Sequence, residues 1–440
     1  MYTELTTKRI QAITLQKGMF VSKLDMPWSA TAFPIQGFLI ESNEQVDQLT
    51  SMCQHVYIDL RLSKHVPYEH KTTLDIVKSP KADTAESRVL AKRKKQIKAK
   101  SRLEKFRFTQ YESTTTFSRE IGPAKEVYDE ASITLSDIIK RRADLNKHDM
   151  QSLKAVSVKM VRSALNNPDA LNWVAKINSS YKSLYQYALS TTITGVIFAR
   201  HLGLEQRKIE FLTLSLLLRT IGLSKLKKSE LIKYSPDNVS EEYKRHLFMT
   251  LNKVASFKAL PSSIYNTLEN HCENIDGTGY PAKKVGNKIP MLSQIVRLVV
   301  YYDELVNPLV EQRAISASKA ISKINSKVGK YFEAGLVEQF VQAVGIYPTG
   351  SFVELNDTSI GMVMEQNPDK RLRSSLAILI NDHGVNLHEP ILVDLSSKRF
   401  DHLSIKQSVP STMIEAEQII RCKKLFQPKK NLLSIFFSKR

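Results

Sequence analysis

The sequence predicts a mainly α protein: a central helical domain flanked by a small N-terminal α+β domain and a C-terminal small β subdomain. Three observations carry this expectation. From about residue 120 to 345, apolar residues recur at helical spacing. Residues 1 to about 80 carry short apolar runs after glycine turns, with one short helix among them. Residues 346 to about 405 return to short alternating runs between Asn, Asp and Gly turns. The chain has 440 residues, enough for two to four domains with cores of their own. Its 42% hydrophobic and 25% charged residues are a balance typical of globular domains.

The expected boundaries follow these shifts: 1–83, a small α+β domain; 84–120, a basic linker; 121–345, the helical domain; 346–405, a small β appendage; 406–440, a basic tail. In the first domain, Gly18-Met19-Phe20-Val21, Gly37-Phe38-Leu39-Ile40 and Val56-Tyr57-Ile58-Asp59-Leu60 read as strands, and Glu44 to Met52 as a helix. The linker contains the acid-free run Ala91 to Arg102. In the helical domain, Gly203-Leu204 and Gly222 are expected to punctuate helices, and Asn167-Pro168-Asp169 to form an inter-helix turn with an N-cap. Ile295 to Tyr302 is apolar nearly all round and reads as a central helix. Four strands are expected in the appendage, at Ser351–Leu355, Ile360–Met364, Leu376–Ile380 and Ile391–Leu395. The tail mixes Lys and Arg with Leu432-Leu433-Ser434-Ile435-Phe436-Phe437, a composition suited to self-packing or to an acidic membrane surface.

No run of about 18 apolar residues occurs, so no transmembrane segment is expected. The N-terminus lacks an apolar core and is not expected to act as a secretory signal. Three cysteines, far apart and odd in number, argue against a disulfide framework and suit a reducing cytoplasm. A formal net charge of +20 favours anionic partners such as nucleic acid, acidic lipid, nucleotide or an acidic protein. A Walker-type phosphate loop and a serine nucleophile elbow are both absent from the sequence.

The most specific string is His271-Cys272-Glu273-Asn274-Ile275-Asp276-Gly277-Thr278-Gly279-Tyr280-Pro281. It resembles the HHExxDGxGYP signature of the HD-GYP phosphohydrolases, which hydrolyse cyclic di-GMP with a bound metal cluster. Every fixed letter matches except the second His, which is Cys272 here. The resemblance implies an HD-type all-α domain whose ligands converge from five helical places. Its early His position falls on Tyr187. Its HD pair falls on Arg219 and Thr220, in the frame Leu217-Leu218-Arg219-Thr220-Ile221-Gly222-Leu223, with Leu223 at the family's Lys position. Its late Asp falls on Val300, and Asp303 matches a second acid that is not a ligand in the family. The retained candidate ligands are His246, His271, Cys272 and Glu273. An Arg-Pro-Tyr-Arg phrase that reads phosphates in the family is replaced by Leu309-Val310-Glu311-Gln312, with Arg313 one step on.

The metal-ligand motifs are therefore degenerate. Arg is permanently cationic and repels a divalent ion at contact range, and Thr cannot replace a bridging carboxylate. No cofactor is expected; the retained residues would suit at most a single divalent metal, Zn, Mn or Fe. Arg219 is expected to form a buried ion pair with Glu273 or Asp276. The loop Asp276-Gly277-Thr278-Gly279-Tyr280-Pro281 reads as a rigid aromatic tip, suited to contacts with signalling proteins, as the resemblance implies for partners such as diguanylate cyclases. The leading expectation is a catalytically degenerate regulatory or scaffold module in cyclic di-GMP signalling. It is placed in the cytoplasm or peripherally at the inner membrane. Two alternatives stay open: a working phosphodiesterase with a reduced site, and a basic binder of nucleic acid or a membrane surface.

Overall fold

A computed structural model of the chain describes residues 7–25, 38–59, 63, 109, 111–141, 144–178, 183–309, 313–367, 372–409 and 414–424. The basic run Ala91–Arg102, the stretch Val310–Gln312 and the tail residues Leu432–Phe437 lie outside the described residues. The chain divides into two compact units, Met1–Arg107 and Phe108–Arg440.

The first unit holds an antiparallel sheet of β1 (Thr7–Gln11), β2 (Phe20–Leu24), β3 (Phe38–Leu39) and β4 (His55–Asp59), in the order β1-β4-β2-β3. Helix α1 (Asn43–Met52) starts at Ser42. The Ser42 hydroxyl accepts the Gln45 N–H, and the Gln45 side chain reaches back to the Ser42 N–H. Leu49 on the helix packs against Met19, Val21, Ile40, Val56 and Ile58 to make the core. Strand β1 was not expected. It is an edge strand paired only with β4 and offers one apolar residue, Ile10, so its alternation is weak.

The second unit opens with helices α2 (Phe117–Arg141), α3 (Lys147–Asn166), α4 (Pro168–Asn178), α5 (Leu184–His201) and α6 (Gln206–Leu223). It continues with α7 (Lys228–Lys233), α8 (Glu241–Ala255), α9 (Ser262–Asn270), α10 (Met291–Val306), α11 (Ala317–Asn325) and α12 (Ala334–Val344). The Asn167 turn is as its sequence implies: Asn167 Oδ1 accepts the Ala170 N–H at 3.0 Å. Helix α10 is the central helix, with every residue from Ser293 to Leu305 buried.

Gly222 stands one residue before the end of α6, so the helix stops beside it as expected. It lies within α6, where a Cβ would come 2.1 Å from both the carbonyl oxygen of His246 and Thr250 Oγ1. Only hydrogen fits there, so α6 and α8 meet backbone to side chain. That contact sets Arg219 on α6 beside His246 on α8.

A five-stranded antiparallel sheet closes the unit: β5 (Phe352–Leu355), β6 (Ile360–Glu365), β7 (Ser375–Ile380), β8 (Asn386–Asp394) and β9 (Ile405–Val409), in the order β8-β7-β6-β5-β9. Five strands replace the expected four. Strand β9 pairs only with β5 and is partly exposed, so its Ile-Lys-Gln-Ser-Val run reads as tail. The last described helix, α13 (Ala416–Lys424), packs on β8. Several contacts fasten the sheet to the helices, and two of them are close. Asp169 on α4 accepts the Thr349 hydroxyl and the Gln366 N–H. Gly350, at φ +82°, lies so close to the Lys176 stem that a Cβ would meet it at 2.4 Å. The whole is mainly α, with small antiparallel sheets at either end of the chain.

Candidate functional site

Helices α5, α6, α8, α9 and α10 bring the expected site residues together. Arg219 is 2% exposed. Its Nη1 donates to the Tyr187 hydroxyl oxygen at 3.2 Å, and its Nη2 to that of Tyr243 at 3.2 Å. Tyr187 in turn donates to Glu304 Oε1 at 2.5 Å. Glu304 is thus the carboxylate linked to Arg219, through one phenol. Burial pushes the Glu304 carboxyl up to about 7, partly offset by the Tyr187 hydrogen bond and the Arg219 charge. Tyr243 stacks on Tyr234 with ring centroids 3.8 Å apart.

The expected ion pair of Arg219 with Glu273 or Asp276 is not formed. Glu273 is buried, but its Oε1 accepts the Ala282 N–H at 2.8 Å and its Oε2 the Lys284 N–H at 3.1 Å. It holds the loop that follows rather than facing the site. Asp276 is exposed and closes its own turn, accepting the Thr278 N–H at 2.9 Å and the Thr278 hydroxyl at 2.6 Å. Adjacent residues at the end of α9 point different ways, so His271 and Cys272 face inward while Glu273 turns to the loop.

His246 and His271 share one arrangement. Each places Nδ1 2.6 Å from a backbone carbonyl of its own helix, that of Tyr243 and of Leu268 respectively. A carbonyl can only accept, so Nδ1 carries the proton and Nε2 a bare lone pair. Both Nε2 atoms are buried without a hydrogen-bond partner. Burial, together with the Arg219 charge, pushes His246 down to about 3 and His271 well below the usual imidazole range. Both rings are neutral. One ring nitrogen of each and Cys272 Sγ lie within 4.8 Å of one another. Cys272 is partly buried, and burial pushes its thiol up.

Thr220 is fully buried, with its hydroxyl turned back on the Leu216 carbonyl at 3.5 Å. Val300 is buried and brings no donor. Asp303 is not near this set: Ser190, Thr191 and Asn307 donate to it at 2.6–2.9 Å, and together they lock α10 to α5.

The converging donors are therefore two imidazole nitrogens and one thiol, with no carboxylate among the described residues of the set. A cluster of two or three hard cations needs bridging oxygen ligands. This set does not fit one.

In the loop, Gly277 sits at φ +83°, and a Cβ on Gly279 would come 2.3 Å from the Asn274 nitrogen and 2.5 Å from the Glu273 Cα. These glycines let the chain fold back on itself. The Tyr280 N–H reaches the Cys272 carbonyl at 3.2 Å, and the Tyr280–Pro281 peptide is cis. Tyr280 is not the exposed tip that the sequence suggests. Its ring is half-buried under Lys244, whose ammonium lies 5.5 Å from the ring centroid. The exposed residues of the loop are Asp276, Thr278, Ala282 and Lys283.

A family model described as HD domain matches residues 174–336, a span that contains the whole His271–Pro281 string. Residues 174–336 are thus an HD domain that carries the HD-GYP string. Around that match, a domain of unknown function (DUF3391) matches residues 7–161, and a KOW domain associated with HD domain matches 352–415. The cyclic di-GMP phosphodiesterase PA4108 of Pseudomonas aeruginosa is 24% identical over 366 residues, covering 82% of each chain. The cyclic di-GMP phosphodiesterase PdeB of Borreliella burgdorferi is 27% identical over 201 residues, covering 44% of this chain and 52% of PdeB. The solved structure of Bd1817, an HDGYP protein of Bdellovibrio bacteriovorus, aligns with a TM-score of 0.42 at 17% identity over 76% of this chain and 98% of that one.

The sequence did not reveal three groups around Arg219: Tyr243, which accepts from it, and Tyr234 and Glu304, each one contact further out. A signal for Glu304 exists. It lies four residues after Val300, one helical turn along the same face of α10. Arg297, three residues before Val300, shares that face. Its Nε donates to Asn274 Oδ1 at 3.1 Å, and its guanidinium lies 5.3–6.0 Å from the rings of Tyr301, Tyr331 and Phe332.

Proposed function

We propose that this HD-domain protein acts in cyclic di-GMP signalling as a regulatory or scaffold module rather than as a phosphodiesterase. The observation that carries the reading is Arg219. A guanidinium, held by two tyrosine hydroxyls and balanced by Glu304, stands where relatives of this family place a metal-ligand pair. Hydrolysis of the dinucleotide requires an activated water and charge stabilisation at the phosphate, which the family draws from its cations. Here Tyr187, Thr220 and Val300 supply none of the lost donors. The loop from Asp276 to Pro281 is nonetheless built in full, which supports a binding role that outlasts catalysis. A partner would meet it at Thr278, Ala282 and Lys283, in the cytoplasm or at the inner face of a membrane.

The relatives' names, all cyclic di-GMP phosphodiesterases, and the convergence of His246, His271 and Cys272 favour a second reading, a phosphodiesterase with a reduced site. One experiment separates them. The purified full chain is incubated with cyclic di-GMP and Mn²⁺ or Fe²⁺, and the linear dinucleotide is followed by chromatography. The regulatory reading expects no metal-dependent product and, by calorimetry, retained binding of the dinucleotide or of a protein partner. Metal-dependent turnover lost in His246→Ala would establish the enzyme instead.

A further inference from the structure

The segment of residues 228–240 lies against the Arg219 pocket and is held mostly from outside it. Its helix α7 has no buried residue. Inward it offers the Tyr234 ring, stacked on Tyr243, with Leu231 and Val239 packed beside Tyr187 and Leu223. Its other fastenings are polar. Arg313 Nη1 donates to the Ile232 carbonyl at 2.7 Å and to the Tyr234 carbonyl at 3.2 Å. Asp237 accepts from Lys323 Nζ at 2.7 Å, from Lys327 Nζ at 2.9 Å and from the Tyr301 hydroxyl at 2.9 Å. Those three donors stand on α10, on α11 and in the turn after α11, away from the segment that they hold. Tyr301 is fully buried and fixed edge-on against Tyr331 and Phe332, while Lys327 lies 4.8 Å from the Tyr331 ring centroid. A third cation, Arg297, lies 5.5 Å from the Tyr301 ring centroid. Burial raises the Asp237 carboxyl, but the hydrogen bonds of Lys323, Lys327 and Tyr301 outweigh it and hold it down at about 2.

We propose that Lys323, Lys327 and Tyr301 form a phosphate-binding site outside the Arg219 pocket, that Asp237 occupies it as an internal stand-in, and that a phosphate group displacing Asp237 releases residues 228–240 from the pocket. The inference goes beyond the regulatory reading and holds whether or not the dinucleotide is cleaved. Two ammoniums and a hydroxyl are all donors here, so the set suits an oxyanion. Asp237 offers them one negative charge and two oxygens. A phosphate group offers the same donors three oxygens and, as a monoester or free ion, about two charges, and such charge-assisted hydrogen bonds are of the stronger kind. The site is open to exchange. The side chains of Asp237 and Lys323 are 27% and 40% exposed, and ion pairs so exposed are individually weak. No covalent bond changes: the three donors pass from the carboxylate to phosphate oxygens. With Asp237 displaced, the Tyr234 stack and Arg313 are left to hold the segment against Tyr243 and Arg219.

The test uses the full chain with inorganic phosphate, pyrophosphate and cyclic di-GMP as probes, each against chloride at equal ionic strength. Calorimetry reads binding, and hydrogen exchange followed by mass spectrometry reads the amides of residues 228–240. On the unmutated chain, a saturating probe should speed exchange in that segment, a readout that needs no variant to fold. Asp237→Asn keeps the shape and removes the competing charge. It should exchange fast before any probe is added and bind the probe about 10-fold tighter, because an internal competitor acts at an effective concentration of millimolar order. The Lys323→Ala, Lys327→Ala double variant should exchange as fast and lose the binding. Binding of phosphate or pyrophosphate assigns the site to a free anion, and binding of cyclic di-GMP alone, lost in the double variant, assigns it to a nucleotide phosphate; either supports the site. The proposal is overturned if no probe binds Asp237→Asn, if its affinity does not exceed that of the unmutated chain, or if exchange in residues 228–240 is unchanged at saturation. Binding of cyclic di-GMP that survives in the double variant also overturns it, and leaves the regulatory reading standing on a different site.

Discussion

Arg219 decides the character of this pocket at the scale of a single residue. Its guanidinium is buried and satisfied by neutral phenols, with its nearest carboxylate one hydrogen bond further on at Glu304. Replacing it leaves two tyrosine hydroxyls short of a donor and Glu304 without a compensating charge. Arg219→Leu should therefore destabilise the second unit by about 3–5 kcal/mol, read from urea unfolding followed by circular dichroism. Glu304 adds a pH dependence. Burial raises its folded value to about 7, against 4.5 as the ordinary value. Between those values the folded state holds more protons than the unfolded one, so stability is full at the acid end and falls as pH rises through about 7. The groups facing Glu304 are Tyr187, Arg219, Asp303 and Arg297. A stability–pH profile should be flatter in Glu304→Gln over that window; an unchanged slope would assign the dependence to another group.

At the scale of elements, the α6–α8 contact makes the site. Because a Cβ at Gly222 would lie 2.1 Å from the His246 carbonyl, Gly222→Ala must push the two helices apart. Overpacking of this kind costs about 1–3 kcal/mol. It should also move His246 away from His271 and Cys272, and urea unfolding followed by circular dichroism should show the lower stability of the variant. The frame Leu217-Leu218-x-x-Ile221-Gly222 places Arg219 and Thr220 through its resemblance to the family's HD phrase; periodicity could not, since every residue from Leu212 to Leu223 is buried. Gly222, read as a stop signal, does lie beside the end of α6, but the sequence did not show that it is also the close contact with α8. A glycine at close packing and a glycine at a helix end look alike until the neighbouring helix is present. The weak edge strands β1 and β9 escaped for a related reason: each is paired on one side only, so alternation is not enforced along it.

Across the whole second unit, the sheet and the helices are joined through buried polar groups. Asp169 takes the Thr349 hydroxyl and is held up to about 6 by burial, with the Thr349 hydrogen bond opposing that rise. Thr349→Val leaves this carboxylate short of a donor and should cost about 1–3 kcal/mol. Since Gly350 also abuts Lys176, sheet and helices should unfold together, and calorimetry should show their single transition moved to lower temperature. A sheet transition that separates from an unmoved helical one would contradict that joint.

The sequence by itself determined which donors this chain possesses. His271, Cys272 and His246 are present, imidazole and carboxyl are missing at Tyr187, Arg219, Thr220 and Val300, and the Asp276–Pro281 loop has its full set of glycines. Those facts come from laying the sequence on the motifs of the family it resembles; periodicity alone does not single out these positions. Only the tertiary structure decided where the donors point. It turned Glu273 to the Ala282 and Lys284 amides, drew Glu304 to Tyr187, set both histidines in the tautomer that bares Nε2, and folded Tyr280 inward onto Cys272. Periodicity fixes a face of a helix; which group meets it depends on how closely a second helix can approach, and here that distance is set by a glycine.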